Sequence, residues 1–397
     1  MDFKLSNRLQ QLPPYLFIEI DKKKKAAIEK GVDIISLGVG DPDLATPDLI
    51  IEALYKAAKD KANHQYPFGA GLMKFRESVA KWFLPRFGVG LDPTDEVVAL
   101  IGSKEGIGHL PLGILNPGDI CLMPSPGYPV YHAGTLFAGG VSYFMPLLEK
   151  NAFLPDLDAI PAEVLQHTKL LWVNSPNNPT SALAGPDFFA KLVELARKHH
   201  FLVANDAAYS EVYYDGKKPV SFLQTPGAKE VGIEFHSLSK TFNMTGWRVG
   251  FAVGNKSALR ALGMVKENMD SGLFNAIQHA GIAGLEAPPS LTDGIRKVYQ
   301  DRRDFFAAGL RKLGWQFQMP QAAFYLWVKV PPGHTSASWC GKLLDEAGVV
   351  ATPGNGFGRE GEGYFRMTLT VEKARLEEAL ERFSKLKVET PKKLVLS

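Results

Sequence analysis

The stretch His236-Ser237-Leu238-Ser239-Lys240, with Arg248 shortly after it, decides how this sequence is interpreted. It sets one lysine inside a serine-rich turn, close to a guanidinium that always carries its charge. Hydroxyl groups and a fixed cation can hold a phosphate, and a nearby cation lowers the pKa of a lysine, which frees its amine as a nucleophile. Ser-Lys pairs are also common on protein surfaces, so the rest of the chain decides between the two interpretations.

The residues around this turn predict a large α/β domain. Short apolar segments, rich in β-branched residues, alternate with amphipathic segments of helical length. This alternation is typical of a mainly parallel seven-stranded sheet flanked by helices. Strands are predicted at 97–101, 120–123, 141–145, 170–173, 202–204, 232–236 and 249–253. Helices are predicted between several of these strands, at 104–115, 186–198 and 256–268.

Polar turns follow five of the predicted strands. In a parallel sheet the ligand usually lies beyond the carboxyl ends of the strands, so these turns are expected to converge on one site. The turns are Gly102-Ser103-Lys104, Pro124-Ser125-Pro126-Gly127-Tyr128, Asn174-Ser175-Pro176-Asn177-Asn178-Pro179, Asn205-Asp206-Ala207-Ala208-Tyr209 and residues 237–240.

The C-terminal part of the chain predicts a smaller α+β domain. The first forty-odd residues, with a helix at 17–29, are expected to pack with it. We therefore predict a large domain at 44–284 and a small domain formed by 1–43 and 285–397. The C-terminal elements are predicted as helices at 291–313, 337–346 and 373–385, and as strands at 324–330, 349–352 and 364–369.

Composition and charge exclude several classes of function. The 397 residues are 45% apolar and 22% charged with a formal net charge of +3, which gives no reason to expect a nucleic-acid partner. No apolar run is long enough to cross a membrane, and the N-terminus lacks the apolar segment of a signal peptide. Cys121 and Cys340 suit a reducing cytoplasm, and no His, Cys, Asp or Glu spacing indicates a metal site.

Three residues of the turns can carry polar chemistry at a ring. Asp206 follows a buried strand, where a carboxylate is costly unless it meets a cation or a strong donor, such as a protonated ring nitrogen. Tyr209 can point to the same place if a helical turn follows. Asp206 can equally be a helix cap. Asn178 offers an amide donor, but it can equally be a turn former before proline.

The remaining candidates also have structural alternatives. Ser103 and Lys104 stand where backbone N–H groups suit a phosphate, although many helices begin with Gly-Ser. Tyr128 can stack on a planar ring or pack in the core. Arg366, on a half-apolar strand, requires a carboxylate partner, which is either a structural acid or a substrate. The glycines at 354–358 imitate a dinucleotide loop, but no βαβ unit surrounds them.

Taken together, these residues resemble the fold-type I, class I/II pyridoxal-phosphate aminotransferases over residues 34–383 or so. The resemblance implies pyridoxal 5'-phosphate as the cofactor and the PLP-dependent transferase-like fold for the large domain. It is carried by the order and spacing of Asn178, Asp206, Tyr209, Lys240, Arg248 and Arg366.

By this resemblance Lys240 forms the Schiff base and shuttles the proton, and Asp206 pairs with the ring nitrogen. Asn178 and Tyr209 contact the phenolic oxygen of the ring, and Tyr128 stacks on the ring. The phosphate is implied to lie among Ser103, Lys104, Ser237, Ser239 and Arg248.

The resemblance also implies how substrates and a second subunit contribute. Arg366 is expected to bind the substrate α-carboxylate, with help from the Gly40 backbone, while Tyr128 and Asn178 also face the substrate. Tyr66 resembles the tyrosine that reaches the phosphate of the neighbouring subunit. A homodimer with shared active sites, acting on amino acids and 2-oxo acids, is therefore expected.

Three segments most resemble the LL-diaminopimelate aminotransferases. They are Pro14-Tyr15-Leu16-Phe17, Gly102-Ser103-Lys104-Glu105-Gly106 and Phe274-Asn275-Ala276-Ile277-Gln278. The counterparts of Tyr15, Lys104 and Asn275 touch the substrate in that group. The implied reaction converts LL-2,6-diaminopimelate and 2-oxoglutarate into tetrahydrodipicolinate and glutamate, for lysine and peptidoglycan precursors.

One departure and three alternatives remain. Plant-type enzymes carry a glutamate where this chain has Gly69, so the distal ammonium of diaminopimelate has no assigned acceptor. An alanine or aspartate aminotransferase, or a carbon–sulfur β-lyase, would use the same Lys240 and Asp206. A non-catalytic sensor is disfavoured because no helix-turn-helix module precedes the aminotransferase-like region.

Overall fold

The computed structural model describes residues 3–13 and 16–386. Tyr15, one of the predicted substrate residues, lies outside the described residues. The α-helices of the described residues are α1 (Asn7–Gln10), α2 (Leu16–Glu29), α3 (Asp48–Ala58), α4 (Met73–Phe87), α5 (Ser103–Ile114), α6 (Val130–Phe137), α7 (Ala162–His167), α8 (Pro186–His199), α9 (Ala228–Val231), α10 (Leu238–Thr241), α11 (Lys256–Met269), α12 (Asn275–Leu285), α13 (Pro289–Lys312), α14 (Ser336–Ala347) and α15 (Lys373–Ser384).

The strands fall into one large and two small sheets. Within the described ranges they are β1 (Ile35–Ser36), β2 (Val97–Leu100), β3 (Ile120–Ser125), β4 (Val141–Pro146), β5 (Thr168–Asn174), β6 (Leu202–Asp206), β7 (Gly232–Ser237), β8 (Gly250–Gly254), β9 (Tyr325–Lys329), β10 (Val349–Val350), β11 (Thr352–Pro353) and β12 (Tyr364–Thr368).

The large sheet has seven strands in the order β2-β8-β7-β6-β5-β3-β4. Strand β8 runs antiparallel to both neighbours, while β7, β6, β5, β3 and β4 run parallel to one another. The predicted mainly parallel seven-stranded sheet is therefore confirmed. Most of these strands extend further than predicted. In particular, β3 continues to Ser125, β5 to Asn174, β6 to Asp206 and β7 to Ser237, so polar residues of the turns complete the strands.

Helices cover both faces of this sheet, which explains why its central strands are apolar on both sides. In β5, Trp172 packs on one face and Leu171 on the other, and both are fully buried. Helix α8 begins at a proline. Proline is tolerated there because an N–H group in the first turn of a helix would have no partner within the helix. Its buried residues recur at helical spacing and face the sheet: Phe189, Leu192, Val193 and Ala196.

A second apolar core forms around the C-terminal elements. Strands β11, β12 and β9 make an antiparallel sheet, and β1 pairs with β10, which brings the N-terminal segment beside the C-terminal elements. The strand predicted at 349–352 is divided, because Val350 pairs with β1 whereas Thr352 pairs with β12. Tyr209 and Tyr214, which follow β6, also pack into this second core. The domain boundaries at 43 and 284 remain predictions.

Membrane insertion of a helix finds no support in the described residues. None of their helices combines the length and the apolar character that crossing a membrane requires.

Candidate active site

A cavity of about 470 Å³ opens at the carboxyl edge of the large sheet. It adjoins a larger, mostly apolar groove of about 1320 Å³, with which it shares Lys104 and Arg248. Most of the residues predicted for the site line the smaller cavity: Gly40, Ser103, Lys104, Tyr128, Asn178, Asp206, Tyr209, Ser237, Ser239, Lys240, Arg248 and Arg366. The structure adds residues that the sequence analysis did not select: Val39, Asn174, Ala208, Thr245 and Tyr325.

The turn between β7 and α10 presents Lys240 to the cavity. The Ser237 hydroxyl accepts a hydrogen bond from the Ser239 N–H at 3.2 Å, which fixes the start of α10. The Lys240 Nζ donates to the carbonyl oxygen of Gly40 at 3.1 Å. The segment before α3 thus holds the lysine amine from the opposite side of the cavity.

Burial is the main cause of a lowered pKa at Lys240, which falls to about 8. Asp41 opposes this change, whereas the positive charges of Arg248 and Arg366 add to it. A lysine with this pKa exists in both protonation states near neutral pH. It can therefore accept and return a proton, as a general base and acid must.

Asp206 ends β6 and is buried, and this burial raises its pKa to about 6. Two donors oppose that rise: the Tyr131 hydroxyl at 2.8 Å and the Ala208 N–H at 3.2 Å. Tyr131 is itself fully buried and stacks on Trp172 with ring centroids 5.0 Å apart. Asp206 consequently remains a carboxylate at neutral pH in a place where a positively charged ligand atom would offset its burial.

Asn174 connects the turn after β5 to the turn after β6. Its Nδ2 donates to the Asp206 carbonyl at 2.7 Å, and its Oδ1 accepts from the Asn178 N–H at 2.7 Å. Asn178 and Asp206 therefore keep a fixed relation at adjacent strand ends.

At the other end of the cavity, Gly102 and Gly250 leave room for the Arg248 guanidinium and for the N-terminus of α5. Gly102 has a φ of 71° and lies against the Arg248 guanidinium, so a side chain there would collide with it. A Cβ at Gly250 would lie 2.9 Å from the Ser103 nitrogen. Arg248 donates to the Thr245 carbonyl at 2.9 Å. Ser103 N–H, hydroxyls and a guanidinium surround this end of the cavity.

Arg366 enters from β12 and is fully buried. Its Nη1 donates to Asn178 Oδ1 at 2.7 Å and its Nη2 to the Gly38 carbonyl at 2.6 Å. Both acceptors are neutral oxygens, so they orient the guanidinium without neutralising it. The rings of Tyr325 and Phe357 lie 4.2 and 4.8 Å from its central carbon. Phe357 belongs to a short 3-10 helix, so the glycine-rich segment there supports Arg366.

Two predicted site residues of the described chain do not line the cavity. Tyr66 is 77% exposed, and Asn275 begins α12 on the surface that carries the exposed Phe274. Their two loops touch each other, because the backbone of Gly272 lies against the carbonyl of Pro67. Tyr66 and Asn275 thus belong to one surface, separate from the cavity of their own chain.

One cluster of acidic residues and a histidine was not anticipated. Glu105, His109 and Asp270 lie within 4.8 Å of one another. The buried Lys266 ammonium lies among them, 2.9 Å from Glu105 and 3.2 Å from Asp270. Because Glu105 also accepts from the Ile101 N–H at 3.0 Å, this ion cluster ties α11 to the turn that begins α5.

The donor set of the cavity fits pyridoxal phosphate. A carboxylate at one end suits a protonated ring nitrogen, and the cation, hydroxyls and glycine cradle at the other end suit a phosphate. A lysine amine of lowered pKa lies in the same cavity.

Comparisons with known proteins agree with this chemistry. The family described as aminotransferase class I and II matches residues 32–383. An LL-diaminopimelate aminotransferase of Maridesulfovibrio salexigens is 58% identical over 97% of this chain and 100% of that protein. One of Aquifex aeolicus is 55% identical over 97% and 100%.

Solved structures give the same family. A substrate-bound BacF structure from Bacillus subtilis has a TM-score of 0.93 at 38% identity, over 97% of this chain and 98% of that one. The Thermus thermophilus aspartate aminotransferase with maleate has a TM-score of 0.89 at 31% identity, over 97% and 100%. With its cavity, its donor set and these relatives, the chain belongs to the class I and II aminotransferases and is a pyridoxal-phosphate-dependent enzyme.

Proposed function

We propose that this enzyme transfers an amino group from LL-2,6-diaminopimelate to 2-oxoglutarate, giving tetrahydrodipicolinate and glutamate for lysine and peptidoglycan precursors. The observation that carries the proposal is one cavity that joins Lys240 to three further cations, Lys104, Arg248 and Arg366. With Arg248 assigned to the phosphate, Arg366 and Lys104 are available for the carboxylates at the two ends of diaminopimelate. The names of the near full-length relatives support the same substrate.

The cofactor is held, in this proposal, by the residues of the strand-end turns. Bound pyridoxal phosphate supplies an electron sink for the carbanion that forms when the substrate loses its α-proton. Asp206, kept ionised by Tyr131, holds the ring nitrogen protonated. Asn178 and Tyr209 donate to the phenolic oxygen, and Tyr128 packs on the ring. The phosphate is assigned to Ser103, Lys104, Ser237, Ser239 and Arg248.

Lys240 is the proposed proton carrier. Its amine, with a pKa near 8, removes the α-proton of the substrate in its neutral form and returns the proton when it is protonated. The Gly40 carbonyl, 3.1 Å away, orients the amine between these transfers.

Arg366 and Gly40 are proposed to bind the α-carboxylate of the substrate. A carboxylate can take the donors that Arg366 now gives to Asn178 and Gly38, because a charge-assisted pair is stronger than a bond to a neutral oxygen. Lys104, whose side chain is exposed at the cavity, is proposed for the distal carboxylate. Tyr15 and Asn275 are proposed as neutral partners of the distal ammonium, since Gly69 has no carboxylate to offer.

A homodimer is part of the proposal. The loop of the exposed Tyr66 and the loop before the half-buried Asn275 touch through Pro67 and Gly272. With the exposed Phe68 and Phe274 they form a surface away from the cavity. We infer that this surface completes the site of a neighbouring subunit, where Tyr66 reaches the phosphate and Asn275 the substrate. Both cysteines are unpaired and buried, which suits a cytoplasmic enzyme.

The substrate is tested by 2-oxoglutarate-dependent consumption of LL-diaminopimelate, compared with meso-diaminopimelate, aspartate and alanine. The purified holoenzyme is expected to prefer the LL isomer, and Lys240→Ala is the inactive control. Activity on aspartate or alanine with none on LL-diaminopimelate would overturn the substrate. Release of pyruvate and sulfide from cystine, with no amino-group exchange, would favour a β-lyase.

A further inference from the structure

The hydroxyls of Tyr209 and Tyr325 form a hydrogen bond of 2.7 Å inside the cavity. Tyr209 follows β6, beside Asp206, whereas Tyr325 begins β9 in the small antiparallel sheet. Both side chains are buried. This bond therefore joins the C-terminal elements to a residue that is proposed to contact the cofactor.

The direction of this hydrogen bond follows from the number of protons. A phenol has a single O–H to donate. If Tyr209 gives its proton to the phenolic oxygen of the cofactor, then the proton between the two tyrosines must come from Tyr325. Tyr325 would then be the first donor in a chain of two hydrogen bonds, and donors in such chains polarise and strengthen one another.

Tyr325 is held firmly enough to impose that direction. Its carbonyl oxygen accepts from the Ser181 hydroxyl at 2.9 Å, and its ring lies 4.2 Å from the Arg366 guanidinium carbon. Its hydroxyl end lies against Gly40, where a Cβ would come within 2.7 Å of the Tyr325 Cζ. A side chain larger than that of glycine at residue 40 would therefore move the Tyr325 hydroxyl.

Burial leaves both phenols protonated despite a positive charge beside them. Arg366, Asp206 and Asp41 face them from β12, β6 and the segment before α3. Burial is the main cause of a raised pKa at both tyrosines, and it outweighs the opposing charge of Arg366. Each hydroxyl thus keeps a proton to donate at physiological pH.

We propose that Tyr325 is a positioning residue, which donates to Tyr209 and so directs the Tyr209 proton to the phenolic oxygen of the bound cofactor. The proposal rests on the cofactor role proposed above for Tyr209. Removal of the Tyr325 hydroxyl would leave Tyr209 a weaker donor, which disfavours the anionic phenolic oxygen. The pH at which the visible absorbance of the holoenzyme titrates is therefore expected to rise.

The test is this absorbance titration, without substrate, on wild type, Tyr325→Phe, Tyr209→Phe and the double variant. Cooperative strengthening of about 10–30% of a charge-assisted hydrogen bond, itself worth about one to two pK units, corresponds to a rise of about 0.1–0.7 pH unit for Tyr325→Phe. Tyr209→Phe is expected to raise the midpoint further, and Tyr325→Phe is expected to add nothing in that background. No rise for Tyr325→Phe, or an equal rise in both backgrounds, would overturn the proposal.

The same titration distinguishes the proposed role of Tyr325 from the proposed role of Tyr209. An unchanged midpoint in Tyr209→Phe would remove the proposed cofactor role of Tyr209. A shifted Tyr209→Phe beside an unshifted Tyr325→Phe would remove only the role of Tyr325.

Tyr214→Phe is the matched control, because it also loses a buried hydroxyl, one that donates to the Ala323 carbonyl at 2.6 Å. We expect no shift for Tyr214→Phe. If Tyr325→Phe yields too little holoenzyme, Gly40→Ala displaces the Tyr325 hydroxyl instead and is expected to raise the midpoint. An unshifted Gly40→Ala protein would also count against the proposal.

Discussion

The two ends of the cavity are built in different ways. Most of the residues proposed for the cofactor stand at the ends of strands of one sheet or in the turns just beyond them; Asp206 ends β6 and Ser237 ends β7. The residues proposed for the substrate carboxylate, Arg366 and Gly40, come from segments more than 300 residues apart in the chain, and they meet through the Gly38 carbonyl. The first arrangement is visible as local sequence patterns, whereas the second depends on how distant segments pack.

The largest effect is expected at the cofactor end, from Lys240→Ala. Loss of the proton carrier is expected to lower the rate of transamination by about 10³-fold or more. The single-turnover rate with LL-diaminopimelate measures this change, and added methylamine should restore part of it by supplying a free amine. A rate within tenfold of wild type would remove Lys240 from the chemistry.

Arg366→Ala tests the other end. Loss of a buried charged partner is worth about 3–5 kcal/mol, so kcat/KM should fall by about 10²–10⁴-fold. The Kd for pyridoxal phosphate should change less than kcat/KM, because Arg366 acts on the proposed cofactor residues only through its bond to Asn178 and its charge near Lys240. Arg366→Lys is the milder control. A loss of cofactor binding as large as the loss of kcat/KM would show that the two ends do not act separately.

Asp206→Asn tests the cofactor end of the cavity through the pH dependence of the free energy of unfolding. Because burial raises the pKa of Asp206 from 3.8 to about 6, its contribution to stability is complete below pH 3.8 and is lost as pH rises through 6. Relative to the wild type, the apo variant should therefore gain up to about 3 kcal/mol of unfolding free energy between pH 4 and pH 7. Urea unfolding of both apo proteins measures this difference. The gain should shrink in the holoenzymes, and a difference independent of pH would contradict the raised pKa.

Tyr131→Phe removes the hydroxyl that donates to Asp206 at 2.8 Å. A hydrogen bond to a buried carboxylate is worth about 1.5–3 kcal/mol, so the Kd for pyridoxal phosphate should rise by about tenfold or more. Fluorescence titration of the apoenzyme at pH 7 measures it. An unchanged Kd would mean that the Ala208 N–H alone suffices to keep Asp206 ionised.

The smallest effect is expected for Lys104→Ala, because Lys104 is exposed and is only one of five residues proposed around the phosphate, besides its proposed contact with the distal carboxylate of the substrate. An exposed charge pair is worth up to about 1 kcal/mol, so kcat/KM for LL-diaminopimelate should fall by about fivefold. Alanine, which has no distal carboxylate, should show a smaller loss, because only the proposed phosphate contact of Lys104 is then removed. Lys81→Ala, at a lysine whose side chain is 78% exposed, is the matched control. An equal loss with alanine would assign Lys104 to the cofactor alone.

The sequence predicted much of the fold because its signals were local. The seven strands of the large sheet were predicted from short apolar runs, and most of the predicted site residues line one cavity. Tyr131 was missed although a signal existed, since it stands three residues after Tyr128, at a spacing that can bring two side chains together. Tyr325 had no such signal, because its contact with Tyr209 depends on the packing of β9 against the turn after β6.

The antiparallel direction of β8 explains why Lys240 and Arg248 can enter the same cavity although they are close in sequence. Strands β7 and β8 form an antiparallel pair in which Ser237 lies opposite Gly250. Residues 238–249 therefore leave the sheet and re-enter it at the same edge, and Arg248 enters the cavity before β8 begins. A parallel neighbour would have to begin at the far edge of the sheet, so the connection to it would cross away from the cavity. Reversing one strand thus lets a single hairpin connection carry both the reactive amine and the cation proposed to hold the phosphate.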